Sequence, residues 1–387
     1  MNIAHLCLSC FYYDGFSYQE NLLVQQNVKD GHNVQVIAST ESIDSKGRMT
    51  FAHKSSYMGA DGALVNRVPY NRLVPKIIQH KIKSYEQVFT LLEDFAPDII
   101  YFHGISAVEL LSIKKFKIQH PDVKLILDCH SDKYNSATNF VSKNILHSFI
   151  YRTCYQSILP LVDKVFCISL DAMDFAIDFY GTPKEKVEFF PLGGECLEDK
   201  EYFELKSNVR LDLNISESEI MILQTGKMNA KKKVIESIIQ FKRVNNDNLI
   251  YVIAGSLEED VKAEVLQLIS SDKRIRYLGW VDSVKLKGLL CASDLYLQPG
   301  SQSATMQQSV CLRNPVILDN VKSHKPFVDG NGWLINNIDE LGDILLSLNE
   351  DSNLLDVMSK KSLEIAKEML DYRELSKKIY ILNSSNS

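Results

Sequence analysis

The sequence predicts an α/β protein with two doubly wound parallel sheets, one in each of two domains. Three observations lead to this fold class. Strand patterns and helix patterns alternate along almost the whole chain, which is typical of parallel sheets covered by helices. The alternation stops at a polar, acidic segment and restarts near residue 220. The length of 387 residues is sufficient for two domains, each with its own core.

In the first half, short apolar runs are predicted as strands and apolar positions at helical spacing as helices. Ser17 and Glu20 have the spacing of a capping box, so we expect a helix from there to about Gly31. The predicted strands are 3–9, 33–39, 98–102, 124–129 and 164–169, and the other predicted helices are 85–95, 139–161 and 171–179.

The second half repeats the alternation after Gly193, Gly194 and a polar stretch to about Ser218, which we interpret as a linker with a first helix or turn. The predicted strands are 220–225, 249–254, 274–279, 294–298 and 315–318, and the predicted helices are 234–244, 258–269, 283–291, one after Ser303, 339–348 and 353–382.

These elements predict two Rossmann-like domains that face one another across a central cleft. We expect the first domain at residues 1–195 and the second at 196–365. The C-terminal helix at 366–387 is expected to pack back on the first domain.

Composition and charge exclude several classes of function. A net charge of −6 makes nucleic acid a poor partner. No apolar run reaches the roughly 18 to 20 residues of a membrane span, and the first residues lack the basic segment of a secretion signal. Cys7 and Cys10 have redox-motif spacing, which alternation along a strand explains equally well. Since no metal-ligand pattern is present, we expect no metal and no other cofactor.

The clearest candidate site begins at Gly226, directly after a predicted buried strand. A strand that ends in a glycine turn presents the following residues at the carboxyl edge of the sheet, where open α/β folds bind ligands. Lys227 and Lys232 lie about one helical turn apart, so both could reach one anion. The alternative is a solvated lysine face before a helix.

A second candidate site is the helix start at Ser303, Ala304, Thr305 and Met306. The first turn of a helix has backbone N–H groups without intrahelical partners and carries a partial positive charge. Together with the lysines, these groups would form a cradle for the diphosphate of a nucleotide-linked substrate. Ser303 and Thr305 could instead only cap the helix.

Other candidate residues follow predicted strands or begin helices. His130 directly follows a strand, which favours a functional over a buried structural role. Gly15 and the first helix would supply a second backbone site for an anion. Gln308 could hydrogen-bond a ribose, or be one more polar helix residue. Gly279 and Trp280 could form the wall of a base pocket, although such tryptophans often only pack.

Short motifs follow one another in a fixed order along nearly the whole chain. They are Asp14-Gly15, Gly31-His32-Asn33-Val34, Pro97-Asp98-Ile99-Ile100, Phe190-Pro191-Leu192-Gly193-Gly194, Leu278-Gly279-Trp280-Val281 and Asn314-Pro315-Val316-Ile317. In this order they resemble glycosyltransferase family 4, the retaining nucleotide-sugar enzymes of the GT-B fold. The resemblance implies that fold, with its two facing Rossmann-like domains, central cleft and C-terminal helices.

The resemblance also assigns roles to residues. It implies that Lys227 and Lys232 bind the donor diphosphate and that His130 lies near the donor sugar, which makes His130 and Lys232 the candidate catalytic residues. The family's two glutamates, eight positions apart, fall on Gly300 and Gln308, so neither carboxylate is present. We expect the backbone N–H groups at the helix start to take over part of sugar recognition.

The implied activity is transfer, with retention and without a metal, of a hexose or N-acetylhexosamine. The donor would be a nucleoside-diphosphate sugar, with UDP favoured, and the acceptor a glycan or a lipid-linked group in capsule or O-antigen synthesis. The lysines and helix dipoles would stabilise the leaving diphosphate. A catalytically silent nucleotide-sugar-binding scaffold is one alternative, and epimerisation or phosphorolysis on the same fold is another.

The predicted helix 139–161 is basic and amphipathic, with Lys143, His147 and Arg152 among apolar residues. Such a helix could lie on an anionic bilayer and meet a lipid-linked acceptor. Packing at the rim of the cleft is the interpretation that we favour. The expected location is therefore cytoplasmic, with peripheral contact to the inner membrane surface as a further hypothesis.

Overall fold

The computed structural model describes residues 1–43, 48–132, 141–300, 303–348 and 353–384, without the side chains of 141–145 and 382–384. The chain separates into two compact units. The first comprises Met1–Pro191 and Leu375–Ser387, and the second comprises Leu192–Glu374. Within the described residues, each unit is built around one large sheet.

The sheet of the first unit is parallel except at one edge. Its described strands follow the order β10-β9-β8-β7-β1-β2-β6-β5, and only β5 runs antiparallel to its neighbour. β3 and β4 form a separate antiparallel pair. The strands are β1 Asn2–Cys7, β2 Asn33–Ser39, β3 Glu41–Ile43, β4 Met49–Phe51, β5 Ser55–Met58, β6 Leu64–Val68, β7 Ile99–Phe102, β8 Lys124–Cys129, β9 Lys164–Cys167 and β10 Val187–Phe189.

Helices connect these parallel strands. They are α1 Gln19–Lys29, α2 Gln79–Ile82, α3 Val88–Phe95, α4 Leu110–Gln119, α5 Arg152–Ile158 and α6 Leu170–Asp174. Two π-helical segments precede α5 and follow α6, at Val141–Tyr151 and Phe175–Phe179. Short 3₁₀ turns occur at Lys76–Ile78, Leu159–Leu161 and Lys184–Lys186.

The central strands of the first unit are buried on both faces, as parallel sheets require. The apolar residues of β1, β7 and β8 are buried almost completely. Two polar side chains interrupt this apolar pattern, His5 on β1 and Asp128 on β8, and both are fully buried. Because a buried polar group needs hydrogen-bond partners inside the protein, both side chains must be paired with other groups of the first unit.

The second unit has a fully parallel sheet in the order β13-β12-β11-β14-β15-β16. Its strands are β11 Ile220–Thr225, β12 Leu249–Ala254, β13 Ile275–Tyr277, β14 Leu295–Gln298, β15 Val316–Asp319 and β16 Gly332–Ile335. Its helices are α7 Asp199–Asp212, α8 Val234–Lys242, α9 Glu259–Ser270, α10 Ser283–Ala292, α11 Ala304–Cys311, α12 Asp339–Ser347 and α13 Leu354–Met369. The 3₁₀ turns are Ala230–Lys232 and Lys322–Phe327.

The last helix, α14 Tyr372–Ser384, places most of its residues in the first unit. The Tyr380 hydroxyl donates to Asp30 Oδ2 at 2.8 Å, and Ser376 Oγ donates to the same oxygen at 3.0 Å. Lys378 Nζ lies 3.2 Å from Glu188 Oε1. Polar contacts therefore tie this helix to α1 and β10.

The predicted α/β fold class is confirmed, but two details of the prediction, the cap of α1 and the single helix at 353–382, are wrong. Ser17 does not cap α1, because the N-cap residue is Tyr18 and no side chain caps this helix. The polar stretch, predicted as a linker with a first helix or turn, does contain a helix, the 14-residue α7. The single pattern 353–382 is two helices that are interrupted after Met369.

A buried arginine on helix α7 connects this helix to the rest of the second unit. The guanidinium of Arg210 donates to Asp294 Oδ2 at 2.8 Å and to the carbonyl oxygens of Ala292, Ser216 and Glu219. Only 3% of the Arg210 side chain is exposed. A charge at this depth is tolerated because the carboxylate and three carbonyls compensate it.

We predict that Arg210→Leu lowers the free energy of unfolding of the second unit by about 3 kcal/mol, because the partly buried Asp294 carboxylate and three carbonyl oxygens lose the guanidinium as a donor. Urea denaturation measures the loss. The matched control is Arg243→Leu, whose side chain is 61% exposed and whose effect should stay within about 0.5 kcal/mol. A loss below about 1 kcal/mol for Arg210→Leu would contradict this role.

Candidate functional site

In the first unit, the loops after β1, β7 and β8 meet at the carboxyl edge of the sheet. They border a cavity of about 220 Å³. Its polar lining comprises Ser9, Cys10, Lys83, His103, Ser106, Ser131, His130, His147 and Tyr151. The structure thus places His130, predicted from its position after a strand, on the wall of a cavity.

His130 shares a buried carboxylate with a second histidine. Its Nε2 lies 3.3 Å from Asp128 Oδ2, and His103 Nδ1 lies 2.9 Å from the same oxygen. Burial alone would raise the pKa of Asp128, but His130 and His103 hold it well below its usual value. Burial alone would lower the pKa of His130, but the Asp128 carboxylate raises it. His130 therefore tends to hold a proton at the cavity.

The hydrogen-bond directions fix the protonation of His103. His5 Nε2 lies 2.8 Å from Asn27 Oδ1, an oxygen that can only accept, so this nitrogen carries hydrogen. His5 is buried, and its burial followed by the charge of His103 lowers its pKa to about 3. Neutral His5 must then accept at Nδ1 from His103 Nε2, 3.0 Å away. Since His103 also donates to Asp128, it is an imidazolium.

The pKa of His103 agrees with this assignment. Burial opposes the charge, but Cys7 and the Asp128 carboxylate raise the pKa of His103 to about 9. The buried group is thus a cation between a neutral histidine and an anion. Its charge is compensated by Asp128, which also contacts His130.

The same chain of hydrogen bonds continues to α14. Asn27 Nδ2 donates to the Tyr380 hydroxyl at 2.6 Å, and that hydroxyl donates to Asp30. Because the Asp30 carboxylate accepts, Tyr380 cannot donate to Asn27, and the amide oxygen of Asn27 must face His5. A residue of the last helix therefore sets the direction of every hydrogen bond as far as His103.

Gly15 lies in the loop between β1 and α1. Its φ is +77°, and a Cβ there would meet no atom within 4 Å, so conformation rather than crowding explains the glycine. Around it, Phe11, Tyr13, Phe16 and Tyr18 contact one another in sequence with ring centroids 5.5–5.9 Å apart. The predicted anion-binding role of this loop stays a prediction.

In the second unit, three glycines bring the loops after β11, β12 and β14 into close contact. A Cβ at Gly255 would lie 1.8 Å from the Gly226 carbonyl oxygen. A Cβ at Gly300 would lie 2.1 Å from Lys231 O and 3.1 Å from Lys232 Cα. Since no side chain fits at Gly300, the packing itself explains why this position carries no carboxylate.

Lys232 lies inside this glycine contact. It is buried, and its Cε would be 3.7 Å from a Cβ at Gly226. Gln224 Nε2 donates to its carbonyl oxygen at 2.9 Å and thereby fixes the turn. Burial lowers the pKa of Lys232 to about 8. The ammonium is therefore held in a position where an anion would stabilise its charge.

The other lysines of this loop have different surroundings. Lys227 is 68% exposed, and its Nζ lies 3.1 Å from Glu258 Oε2. Lys233 Nζ lies 3.0 Å from Asp319 Oδ1. The structure does not bring the ammonium groups of Lys227 and Lys232 into one environment, and their joint binding of an anion stays a prediction.

The start of α11 lies on the chain just beyond Gly300. Ser303 is its N-cap residue, yet its hydroxyl makes no capping bond and donates to Gln298 Oε1 at 2.6 Å. Met306 N donates to Ser303 O at 3.2 Å. The Ser303 side chain therefore does not cap the backbone N–H groups of the first turn, which is where a helix start can bind an anion.

Gln308 contacts the backbone of the chain that enters the second unit. Its Oε1 accepts from Glu195 N at 3.3 Å, and its neighbour Gln307 accepts from Gly193 N at 2.8 Å. Both amides thus hold the segment around Gly194. Ribose binding by Gln308 stays a prediction, and it would compete with the contact to Glu195.

Gly279 and Trp280 follow β13. Gly279 has a φ of +69°, and its carbonyl oxygen accepts from Gly255 N at 2.7 Å. Trp280 is 76% exposed, so the structure gives it no packing role in the second unit. An exposed indole at a strand end is available for a base to stack on, and this role stays a prediction.

Sequence reasoning missed four residues that matter to these sites: His103, Asp128, Lys83 and Gly255. Asp128 looks like an ordinary strand residue, and His103 lies just beyond the motif Pro97-Asp98-Ile99-Ile100. A signal was present, because His103 directly follows β7 and Asp128 is the penultimate residue of β8. The spacing of Gly226 and Gly255, each directly after a strand, could have indicated close loops.

The predicted basic amphipathic helix 139–161 lies partly outside the described residues. Residues 139–140 and the Lys143 side chain are among those that the structure does not describe. In the rest of it, Tyr151, Tyr155 and Ile158 enter the core of the first unit. Phe149 and Arg152 are exposed. Across the described part of the chain, no helix combines the length and apolar character that crossing a membrane requires.

Known proteins share this fold. The Anabaena protein HepE, in a crystal structure with UDP, superposes with a TM-score of 0.67 at 14% identity and 100% coverage of both chains. The sucrose-phosphate synthase of Thermosynechococcus elongatus gives 0.65 at 12% identity, with 99% and 98% covered. WaaG, a glycosyltransferase involved in lipopolysaccharide biosynthesis, gives 0.61 at 16% identity over 100% of both chains.

The sequence comparisons are narrower. No curated protein matches the sequence. Residues 22–194 match the model of the family described as Glycosyltransferase Family 4, which covers less than half of the chain. The chain therefore has the GT-B fold of glycosyltransferases, and its residues 22–194 resemble Glycosyltransferase Family 4.

Proposed function

We propose that this protein is a retaining, metal-independent glycosyltransferase. It moves a hexose or N-acetylhexosamine from a nucleoside-diphosphate sugar, with UDP favoured, to a glycan or lipid-linked acceptor. The observation that carries the proposal is Lys232, a buried lysine held by glycines at the carboxyl edge of a parallel sheet. The fold shared with UDP-bound HepE supports the choice of donor.

In this proposal the second unit binds the donor. The ammonium of Lys232 and the first N–H groups of α11 contact the diphosphate, and Lys227 exchanges Glu258 for a phosphate oxygen. As the bond to the sugar breaks, negative charge grows on the leaving diphosphate, and these donors are already in place to stabilise it. The base would stack on Trp280.

The first unit supplies His130 and the acceptor site. Because the Asp128 carboxylate raises the pKa of His130, the protonated imidazole is favoured and would donate a hydrogen bond to a sugar hydroxyl. We place the enzyme in surface polysaccharide synthesis, of capsule or O-antigen, at the cytoplasmic side of the inner membrane. Exposed Phe149 and Arg152 would contact that surface.

One observation favours a second function, a catalytically silent nucleotide-sugar-binding scaffold. Gly300 and Gln308 stand where the family has glutamates, and the amide of Gln308 contacts the Glu195 backbone. A scaffold binds UDP-sugar but releases no UDP when acceptor is added. Measuring UDP release in the presence of candidate acceptors separates the two functions.

We predict that Lys232→Met weakens UDP binding by roughly ten- to a hundredfold, the effect of losing a charged hydrogen bond of about 1.5–3 kcal/mol. In the wild type, affinity should fall as the pH rises through about 8, because Lys232 loses its proton there in the absence of UDP. Isothermal titration calorimetry at several pH values measures both effects.

The matched control is Lys231→Met, an exposed neighbour that should leave UDP affinity unchanged. Lys227→Met should weaken binding less than Lys232→Met, since Lys227 is exposed and already paired with Glu258. Equal UDP affinity of wild type and Lys232→Met would remove the basis of the proposed donor site.

We predict that Asp128→Asn deprotonates His103 at neutral pH. In the wild type this ring should keep both protons until the pH approaches about 9. Because its pKa is raised, the stability that His103 contributes is complete below about pH 6.5 and is lost as the pH rises through about 9. NMR titration of the imidazole nitrogens follows the ring directly.

The control for this titration is Glu93→Gln, another change of a histidine-bound carboxylate to an amide, at the exposed pair with His120. It should leave the His103 titration unchanged. Transfer activity should fall in Asp128→Asn and not in Glu93→Gln. A His103 titration that is the same in Asp128→Asn and wild type would show that the hydrogen-bond assignment is wrong.

A further inference from the structure

The cavity of the first unit contains a lysine that the proposed donor site does not use. Lys83 follows α2 in the left-handed region, with a φ of +52°. Its Nζ donates to Ser9 O at 2.7 Å and lies 3.5 Å from Ser9 Oγ. Among the described residues, no carboxylate lies within ion-pair distance of this ammonium.

Burial lowers the pKa of Lys83, and the nearby Cys10 and Glu41 only partly oppose this effect. A lysine that is desolvated without a close anion is costly in the ligand-free protein. The strained backbone conformation adds to that cost, since a lysine in the left-handed region is uncommon. Both features suit a residue whose partner is a ligand.

His147 lies on the same cavity. Its Nδ1 is 2.7 Å from the Tyr180 hydroxyl, which also contacts Ser106 Oγ at 3.1 Å. His147 and Lys83 both line this cavity. Burial, followed by the positive charge of Lys83, lowers the pKa of His147. Because Nδ1 contacts the Tyr180 hydroxyl, Nε2 is the ring nitrogen of His147 through which a ligand would be bound.

The charge of the cavity is one-sided. Lys83 and the imidazolium of His103 line it together with His130 and His147, and no Asp or Glu side chain belongs to its described lining. The carboxylate of Asp128 lies behind the histidines and is shared by His103 and His130. An entering anion would therefore meet lysine and imidazole groups first.

We propose that this cavity binds an oxyanion of the acceptor, a phosphate or a carboxylate, through Lys83 and His147. The assignment to an acceptor rests on the proposed glycosyltransferase function, whereas the anion site itself does not. Its volume of about 220 Å³ is below the roughly 300–1,000 Å³ of whole small-molecule sites. It therefore fits one charged group of a larger acceptor.

The experiment measures binding of inorganic phosphate to the full chain in the presence of saturating UDP, so that phosphate cannot report the donor site. Wild type and Lys83→Arg should bind phosphate, and Lys83→Met should weaken it at least tenfold. His147→Gln should weaken it by a smaller factor. The matched control Lys81→Met, an exposed lysine two residues earlier, should bind like the wild type.

Three probes then identify the anion: a hexose phosphate, a hexuronate and the corresponding neutral hexose. Tighter binding of the phosphate or the carboxylate than of the neutral sugar names the acceptor class, and equal binding of all three overturns the proposal. Unchanged phosphate affinity in folded Lys83→Met also overturns it. Failure of the glycosyltransferase proposal would appear separately, as absent UDP binding with phosphate binding still dependent on Lys83.

Discussion

The parallel pairing of strands is the constraint on which both candidate sites depend. Neighbouring parallel strands end at the same edge of a sheet, so residues far apart in sequence meet there without long loops. This brings His130, His103 and Ser9 to one cavity in the first unit. It brings Gly226, Gly255 and Gly300 into contact in the second, where the absence of Cβ atoms lets the backbones approach.

Close backbone packing in the second unit explains why Gly300 stands where the pattern of family 4 has a glutamate. A glutamate side chain at Gly300 would need the space that the backbone of Lys231 and Lys232 occupies. The loop that buries Lys232 therefore excludes the carboxylate. In the proposed enzyme, sugar recognition would therefore depend on other groups, and the start of α11 is the nearest of them along the chain.

Much of the fold could be predicted from the sequence, because buried parallel strands leave long apolar runs such as β8 and β12. The strands β4 and β5 could not, since most of their residues are exposed. β3 is only three residues long, which leaves too short a pattern to recognise. His130 was recognisable from its place after a strand. Asp128 and Lys83 were not, because only the tertiary structure shows that one carboxylate serves two histidines and that a lysine after α2 enters a cavity.

The contact between Tyr380 and Asp30 reaches further than the surface on which it lies. Through Asn27 and His5, it orders the protons of a row of side chains that crosses the interior of the first unit. Shortening the chain before Tyr380 would free the Asn27 amide to rotate, and His5 could then exchange its tautomer. Helix α14 thus influences the protonation of His103 in a cavity that the helix itself does not line.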